Sequence, residues 1–212
     1  MSLAATLDQV ESLYSQNLRA NGTTPAAVGW NSPESQRLRF SQLTKIVQPS
    51  SVPITVNDYG CGYGAQLSYM VEDAGVPVSA YYGYDLSASM IEAARASLAP
   101  LPVDVQLRQS ATVDTIADYS FVSGTFNVRF EQNEETWIAY IQDTLQRLAK
   151  HSRRGVAFNL LSTYVDWHAP NLYYADPSFW FDYCKRHLSK RVTLLHDYPL
   201  YEWTLLVRTD GQ

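Results

Sequence analysis

The sequence predicts an α/β protein built as a three-layer sandwich, in which helices cover both faces of a central sheet. Three observations predict this fold class. Between residues 53 and 161, short runs rich in β-branched and aromatic residues alternate with helix-period segments. The first of these runs ends in the glycine-rich turn Gly60-Cys61-Gly62-Tyr63-Gly64. Near the C-terminus, strand-like runs at 192–196 and 203–207 flank a short turn and predict an antiparallel hairpin.

Length and composition indicate one domain and argue against nucleic acid as a partner. The chain has 212 residues, of which 46% are hydrophobic, and this suffices for a full core. We therefore expect residues 1–212 to form a single domain, with a helical lid at 1–50 and an α/β core at 51–212. The net charge is -5 and no basic run exceeds a pair such as Arg153-Arg154, so nucleic acid is not an expected partner.

Other functional classes are disfavoured by what the sequence lacks. No apolar run is long enough for a bilayer and no signal peptide is evident, so we expect a cytoplasmic protein without a membrane partner. The two cysteines, Cys61 and Cys184, have neither metal-ligand spacing nor a disulfide framework. We expect no metal site.

The N-terminal residues predict two helices ahead of the alternating region. Residues 1–20 carry apolar side chains at helical spacing. Ser32-Pro33-Glu34 is a typical helix start, with a capping serine, a proline in the first turn and an acid near the positive end of the dipole. Pro49 ends the second helix. Both helices should lie over one end of the core.

The alternating region supplies the rest of the fold in order. We predict strands at 54–59, 78–84, 103–108, 119–123 and 156–161, with the third the most exposed because its residues alternate with polar ones. Helices are predicted at 65–74, from the capping residue Ser87 to Pro100, at 133–150, and from Asp176-Pro177 to about residue 188.

The glycine-rich turn after the first strand predicts a cofactor site. Glycines permit unusual backbone angles and let a ligand approach bare main chain. Gly60, Gly62 and Ala65 also satisfy the relaxed dinucleotide fingerprint, so an NAD site is a real alternative. Asp58 argues against it, because a carboxylate at the strand end repels a pyrophosphate and attracts an amino group. The C-terminal hairpin is also foreign to the all-parallel dinucleotide fold.

Two motifs resemble a known family. Asp58-Tyr-Gly60-Cys-Gly62-Tyr-Gly64 resembles motif I of the class I, Rossmann-like S-adenosylmethionine-dependent methyltransferases, and Tyr84-Asp85-Leu86-Ser87-x-x-Met90-Ile91 is similar to their second-strand motif. The resemblance covers roughly residues 50–208. It implies a seven-stranded mixed sheet of order 3-2-1-4-5-7-6 with the last strand antiparallel. It also implies S-adenosylmethionine as cofactor and S-adenosylhomocysteine as product.

The resemblance implies roles for individual residues. Asp58 would lie near the amino group of the cofactor, and Asp85 would accept hydrogen bonds from both ribose hydroxyls. Leu86 and Met90 would pack on the adenine, although Met90 is equally well explained as a core residue. The acid that the family often places near the adenine is missing here, where the sequence reads Gln109-Ser110-Ala111. The remaining predicted cofactor-binding residues are Gly60, Cys61, Gly62, Gly64, Ser110, Ala111, Gly124 and Phe126. Of these, Cys61 is also explained as a small turn residue.

The acceptor side is predicted from the loop after the fifth strand. An oxygen or carbon acceptor needs a base, and candidates for it are Tyr164, Asp166 and His168, although a surface histidine without a catalytic role is the commoner case. Predicted substrate-binding residues are Tyr14, Trp30, Asn127, Tyr173 and Tyr174. The modest additions to the core favour a small-molecule acceptor with an O, N or C nucleophile. A non-catalytic S-adenosylmethionine-binding protein and an NAD-dependent oxidoreductase are the alternatives, and the sequence leaves acceptor identity and oligomeric state open.

Overall fold

A computed structural model describes residues 2–210, and a mixed β-sheet lies at its centre. The strands are β1 Ile54–Tyr59, β2 Val78–Asp85, β3 Asp104–Gln109, β4 Ala117–Val122, β5 Ser152–Ser162, the two-residue β6 Tyr174–Ala175, β7 Arg191–Leu195 and β8 Glu202–Arg208. Their order is β3-β2-β1-β4-β5-β8-β7, with β6 beside the end of β5. β8 runs antiparallel to both β5 and β7.

This topology confirms the predicted fold class. The order 3-2-1-4-5-7-6 becomes 3-2-1-4-5-8-7 only because the short β6 shifts the numbering by one. The predicted hairpin is β7–β8, and the predicted exposed third strand β3 is an edge strand. The prediction succeeded because strand alternation and turn residues are local signals.

The helices are α1 Leu3–Asn21, α2 Pro33–Thr44, α3 Ala65–Ser68, α4 Ala88–Leu98, α5 Glu134–Lys150 and α6 Pro177–His187. The predicted caps are present: the Ser32 hydroxyl accepts a hydrogen bond from the Ser35 amide at 3.1 Å. The Ser87 hydroxyl likewise accepts from the Met90 amide at 3.1 Å. Each cap satisfies a backbone donor that the first helical turn leaves unpaired.

The helix predicted at 65–74 differs from expectation. It is α-helical only over α3 and continues as a π-helical segment, Tyr69–Asp73. The amide of Ala74 bonds to the carbonyl of Tyr69, five residues earlier, at 2.9 Å. Apolar periodicity does not separate the two helix types over so short a stretch, and π-helical turns are frequent at functional sites. A 3₁₀ helix at Pro25–Val28 was also not predicted.

Two apolar layers hold the helices to the sheet. On one face α5 and α6 bury the large aromatic residues Trp137 and Trp180, with Trp203 from β8. On the other face α2, α3 and α4 bury residues such as Leu43, Leu67 and Ile91. This is the three-layer arrangement that the sequence predicts. Within residues 2–210, no helix is both long and apolar enough to cross a membrane.

The parallel strands bring their carboxyl ends to one edge of the sheet, and α1 packs across it, whereas α2 covers a face of the sheet. α1 packs on α4, while α2 packs on β5 and β8. Buried hydrogen bonds fix α1 in place, from Thr6 Oγ1 to Gln132 Oε1 at 2.8 Å and between the hydroxyls of Ser15 and Ser87 at 2.8 Å. In open α/β sheets this edge is where ligands bind.

Candidate ligand site at the carboxyl edge of the sheet

A cavity opens at this edge, and the empty space between its walls, open solvent included, is about 630 Å³. Its floor is the glycine-rich turn and the ends of β2 and β4, and its roof is α1. We call it the main cavity. A second cavity, the smaller cavity, adjoins it at the same turn, and the empty space between its walls, open solvent included, is about 330 Å³. Trp30, Gly60, Gly62 and Ser123 line both, so the two cavities are neighbours.

The turn between β1 and α3 requires glycine for two reasons. Gly60 and Gly64 have φ angles of 76° and 85°, in the left-handed region that side chains disfavour. A Cβ on Gly60 would lie 2.2 Å from the hydroxyl oxygen of Thr125, and one on Gly64 would lie 2.6 Å from a methyl carbon of Leu98. The bare main chain therefore forms the cavity floor, as the sequence predicts.

Asp85 stands at the end of β2 and lines the main cavity. Its two carboxylate oxygens accept hydrogen bonds from the amides of Gly62 and Ser87, each at 2.9 Å. These bonds fix the carboxylate, and each oxygen keeps a lone pair for a ligand hydroxyl. Burial raises the pKa of Asp85, and the neighbouring Glu11 charge raises it further.

Asp58 lines the smaller cavity, one strand away from Asp85. It is only 2% exposed and accepts a hydrogen bond from the Tyr81 hydroxyl at 2.7 Å. Burial raises the pKa of Asp58 to about 7, while the bond from Tyr81 opposes the rise and the Asp85 charge adds to it. A buried carboxyl with no cation beside it is poised to accept a positive group.

The other predicted cofactor residues divide into two groups. Leu86, Met90, Ser110 and Gly124 line the main cavity, and Cys61 lines the smaller one. Burial raises the pKa of Cys61 well above its ordinary value, so its thiol stays protonated. The other three predicted residues, Gly64, Ala111 and Phe126, lie off both cavity walls.

The reasons for these placements are visible in the packing. Phe126 is fully buried in the core, and its carbonyl accepts a hydrogen bond from Trp137 Nε1 at 3.0 Å. The Ala111 carbonyl accepts a hydrogen bond from the Tyr59 hydroxyl at 3.1 Å. The Ser110 hydroxyl bonds to the main chain of Thr112 at 2.9 and 3.0 Å.

Tyr14 and Trp30 line the main cavity together with Asp85, and their predicted role as substrate contacts stays a prediction. Burial raises the pKa of Tyr14 to about 12, with the Asp85 charge adding to the rise, so Tyr14 remains a neutral phenol. The Trp30 ring lies 3.8 Å from the Arg39 guanidinium carbon, within reach of a cation–π contact. A Cβ on Gly124 would lie 2.3 Å from the Trp30 ring, so glycine allows this close approach.

A buried polar network, which sequence reasoning missed, supports this wall. The Nε atom of Arg39 donates to Glu202 Oε1 at 2.6 Å, and the Asn159 amide donates to Glu202 Oε2. Asn159 Oδ1 in turn accepts from the Gly124 amide at 2.8 Å. Its one signal in the sequence is Glu202, a charge at the start of the otherwise apolar strand 202–207.

The predicted catalytic residues lie apart from both cavities, on the loop after β5. Tyr164 is 69% exposed, and Asp166 accepts a hydrogen bond from the Tyr201 hydroxyl. His168 is exposed and stacks on the Tyr174 ring, with 4.2 Å between the ring centroids. No residue of this loop lines either cavity. Their catalytic role stays a prediction.

Three predicted substrate contacts also have structural partners. Tyr174 accepts a hydrogen bond from the Ala169 amide at 2.9 Å. Tyr173 is buried and accepts one from Trp180 Nε1 at 3.2 Å. The Asn127 side chain accepts one from the Leu161 amide at 3.3 Å. None of the three lines the cavities, because these bonds hold the loops to the core.

Comparison with known proteins adds independent findings. Residues 56–155 match the family described as "Methyltransferase domain". Rv1506c, a Mycobacterium tuberculosis (strain ATCC 25618 / H37Rv) protein that carries a methyltransferase name, is 46% identical over 158 residues. That alignment covers 74% of this chain and 93% of the relative.

Solved structures share the fold. Magnesium protoporphyrin IX methyltransferase from Synechocystis PCC 6803, solved with bound SAM, is 18% identical, with a TM-score of 0.64 and coverage of 97% of this chain and 95% of the other. A SAM-dependent methyltransferase from Aquifex aeolicus is 16% identical, with a TM-score of 0.56 and coverage of 84% and 94%. At such identities the likeness shows a common fold.

Proposed function

The chain belongs to the S-adenosylmethionine-dependent methyltransferase family, and from that premise we propose that it methylates an oxygen, nitrogen or carbon nucleophile of a small molecule. One observation carries the proposal on the cofactor side. The main cavity places the fixed Asp85 carboxylate, the glycine-rich turn and the apolar pair Leu86 and Met90 along a single concave wall. This wall combines an acceptor for hydroxyls, bare main chain and a soft apolar surface.

These residues fit an adenosine-containing cofactor. Asp85 accepts hydrogen bonds from the ribose hydroxyls through the lone pairs that Gly62 and Ser87 leave free. Leu86 and Met90 pack against the adenine, and Ser110 takes the position of the missing acid. Trp30 and Gly124 close the end of the cavity nearest to β4.

Methyl transfer requires the protein mainly to position the two reactants. S-adenosylmethionine supplies a methyl group that its positively charged sulfur already activates. Orientation of the acceptor is then the main contribution of the protein, and well-oriented reactants gain about 7–11 kcal/mol over free encounter. α1 excludes water from above, because its residues Val10, Glu11 and Tyr14 form the roof.

The proposal of a small acceptor is supported by the limited size of the additions to the core. Within residues 2–210, α1, the 3₁₀ helix and α2 come before β1, and they pack onto the core. The loop after β5 opens at the same sheet edge, so His168, Tyr164 or Asp166 remains the proposed source of a base. An amine acceptor would need none, provided that it arrives neutral.

Calorimetry with S-adenosylmethionine, S-adenosylhomocysteine and NAD tests the cofactor side. We expect both sulfur cofactors to bind and NAD to bind weakly or not at all, because Asp58 repels a pyrophosphate. Tight binding of NAD alone would overturn the proposal. Methyl transfer from labelled S-adenosylmethionine to a panel of small metabolites then tests the acceptor class, and binding without any turnover would favour a non-catalytic role.

A further inference from the structure

The edge of the sheet opposite to the cavities, where the parallel strands begin, carries a concentration of basic side chains. We call it the amino edge. β5 and β7 begin there, and the antiparallel β8 ends there. Four exposed cations next to these strand ends are Lys150, Arg153, Lys185 and Lys190. Basic residues that occur only as short, separate groups in the sequence are thus gathered at one edge by the fold.

Contacts between neighbouring elements join these four cations into one surface. α5 and α6 pack side by side near their C-terminal ends, where the Gln146 amide donates to the Tyr183 hydroxyl at 3.0 Å. This contact places the helix ends that carry Lys150 and Lys185 next to each other. β5 and β7 both pair with β8, so the starts of these two strands lie roughly 10 Å apart. We call the four cations together the basic surface.

The charge of the basic surface is not neutralised by nearby acidic residues. The ion pairs around it are Arg147–Asp143, Arg154–Asp118, Arg186–Asp182 and Arg191–Asp210. Each of these acids therefore already has an arginine partner. Within residues 2–210, the four cations of the basic surface form no ion pair. Their positive charge is free to attract an anionic partner.

Helix dipoles explain only part of this pattern. The negative end of a helix dipole stabilises cations in the last turn, and this accounts for Lys150 in α5 and Lys185 in α6. Arg153 lies in β5 instead, and Lys190 lies between α6 and β7. Since neither stands in a last helical turn, the basic surface is larger than the dipoles require.

Two exposed aliphatic side chains stand beside the basic surface on the same edge. Val52 precedes β1 and is 60% exposed, and Ile116 precedes β4 and is 55% exposed. β1 and β4 are neighbours in the sheet. Ile116 borders the basic surface, because the amide of the next residue, Ala117, donates to the His151 carbonyl at 3.0 Å. Exposed aliphatic side chains next to free cations are typical of surfaces that bind lipid headgroups and acyl chains together.

We propose that the amino edge docks on the surface of an anionic lipid bilayer. The basic surface attracts the anionic headgroups, while Val52 and Ile116 enter the boundary between headgroups and acyl chains. A nucleic acid would use the same cations, but its phosphates would leave both aliphatic side chains exposed to water. The two aliphatic side chains therefore favour lipid.

The charges at the opposite edge agree with this orientation. Glu11, Asp58 and Asp85 line the two cavities, and among the residues that the structure describes no Lys, Arg or His does. An anionic bilayer attracts the amino edge and not the carboxyl edge, so both cavities face away from it. Docking of this kind needs no catalysis and is independent of the proposed function. The sequence alone predicts no membrane partner, because its basic residues meet only after folding.

Cosedimentation of the full chain with lipid vesicles tests the docking surface. Vesicles of phosphatidylcholine alone are compared with vesicles that contain about 30% phosphatidylglycerol, at low and at high salt. The test variant combines Lys150→Gln, Arg153→Gln and Lys190→Gln, and Ile116→Ser is made separately. Arg19→Gln is the matched control, because Arg19 is an exposed cation at the end of α1, away from the basic surface.

We expect the wild type to bind the anionic vesicles, to leave them at high salt and not to bind the neutral ones. The triple variant should bind on the order of 100-fold more weakly, since each cation contributes about fivefold. Ile116→Ser should weaken binding about three- to tenfold. Arg19→Gln should stay within about twofold of the wild type, and all variants should keep the thermal midpoint, because the substitutions are exposed.

Several results would overturn the proposal. Equal binding of the wild type to neutral and anionic vesicles would do so, as would binding to neither. A triple variant that binds as tightly as the wild type would also do so, and so would an equal loss in Arg19→Gln. Tighter binding to duplex DNA than to anionic vesicles, lost in the triple variant, would assign the basic surface to nucleic acid instead.

A last variant tests the opposite edge, where the exposed ring of Trp167 could also contact lipid. Trp167→Ala should leave vesicle binding unchanged, because Asp166 beside it repels anionic headgroups. A loss of binding in Trp167→Ala with the triple variant intact would move the docking surface to the loop after β5 and overturn the proposal. Failure of the wild type to bind S-adenosylhomocysteine, with vesicle binding intact, would refute the proposed function alone.

Discussion

The two halves of the carboxyl edge of the sheet are built differently. At the ends of β1, β2 and β4, concave walls enclose two cavities, and buried polar groups such as those of Gln66 and Ser123 lack partners. At the ends of β5 and β7 and the start of β8, the surface carries exposed aromatic side chains, with Trp167 71% and Tyr164 69% exposed. Polar groups there pair with one another, as Asp166 does with Tyr201.

This difference indicates in which half the polar groups are already paired before a ligand binds. A preformed cavity with unpaired polar groups lowers stability and is kept for binding. In the other half the polar groups pair with one another and the aromatic side chains are exposed. We therefore expect cofactor recognition to depend on the walls of the two cavities and acceptor recognition to depend on exposed side chains. The network of Arg39, Glu202 and Asn159 lies at the boundary between the halves.

Disrupting the buried network of Arg39, Glu202 and Asn159 should have the largest effect, and the effect is on the stability of the fold. Glu202→Ala leaves the Arg39 guanidinium buried without its partner, and we expect it to lower the free energy of unfolding by about 3–5 kcal/mol. Urea denaturation measures this. Glu92→Ala is the matched control, because its ion pair with Arg95 is exposed on one helix and should contribute about 0.5 kcal/mol or less. Equal losses of unfolding free energy in the two variants would show that the buried network stabilises the fold no more than an exposed ion pair does.

The second largest effect is expected from replacing Asp85, which lines the main cavity. Asp85→Ala deletes the proposed acceptor of both ribose hydroxyls, and we expect S-adenosylhomocysteine affinity to fall on the order of 100-fold, or about 3 kcal/mol. Calorimetry measures it, with Asp104→Ala on the exposed edge strand β3 as control. An unchanged affinity would refute the ribose role.

The raised pKa of Asp58 predicts a pH dependence within the same half. Because the folded carboxyl has a pKa of about 7, it holds a proton that the unfolded chain has released above about pH 4. The ligand-free protein should therefore lose stability as pH rises from about 4 to 7 and show no further change from this group above 7. Denaturation at several pH values measures this, and Asp58→Asn should abolish it.

Ligand binding should show the opposite trend. An ammonium group favours the ionised Asp58, so affinity for S-adenosylhomocysteine should rise up to about tenfold per pH unit below pH 7 and level off above it. The Asp58→Asn variant, which can keep its contact with Tyr81, should bind more weakly and without this slope. A slope that survives in the variant would assign the titration to another group.

The smallest effect is expected from the exposed half. His168→Ala should change cofactor affinity by less than about twofold, because His168 stacks on Tyr174 and lies off both cavity walls. With an identified acceptor, a fall in kcat with an unchanged KM for cofactor would support the general-base prediction. A large loss of cofactor affinity would contradict the division of the edge into two halves.

Much of the fold could be predicted because its signals are local. The strand runs, the caps Ser32 and Ser87 and the terminal hairpin each depend on residues a few positions apart. The positions of Asp58 and Asp85 at the ends of neighbouring strands follow from the same patterns, whereas their roles toward a cofactor stay predictions. The π-helical segment Tyr69–Asp73 was not, because α and π periodicities are too similar over one or two turns.

The sequence by itself thus determined the sheet, the glycine-rich turn and the two carboxylates. Only the tertiary structure decided which polar groups are paired. Arg39 meets Glu202 across 163 positions of the chain, which no local pattern encodes. Gln66 is informative for the opposite reason, since it lacks a partner after every other element has packed. An unsatisfied group is defined by its complete surroundings, and those exist only once the chain has folded.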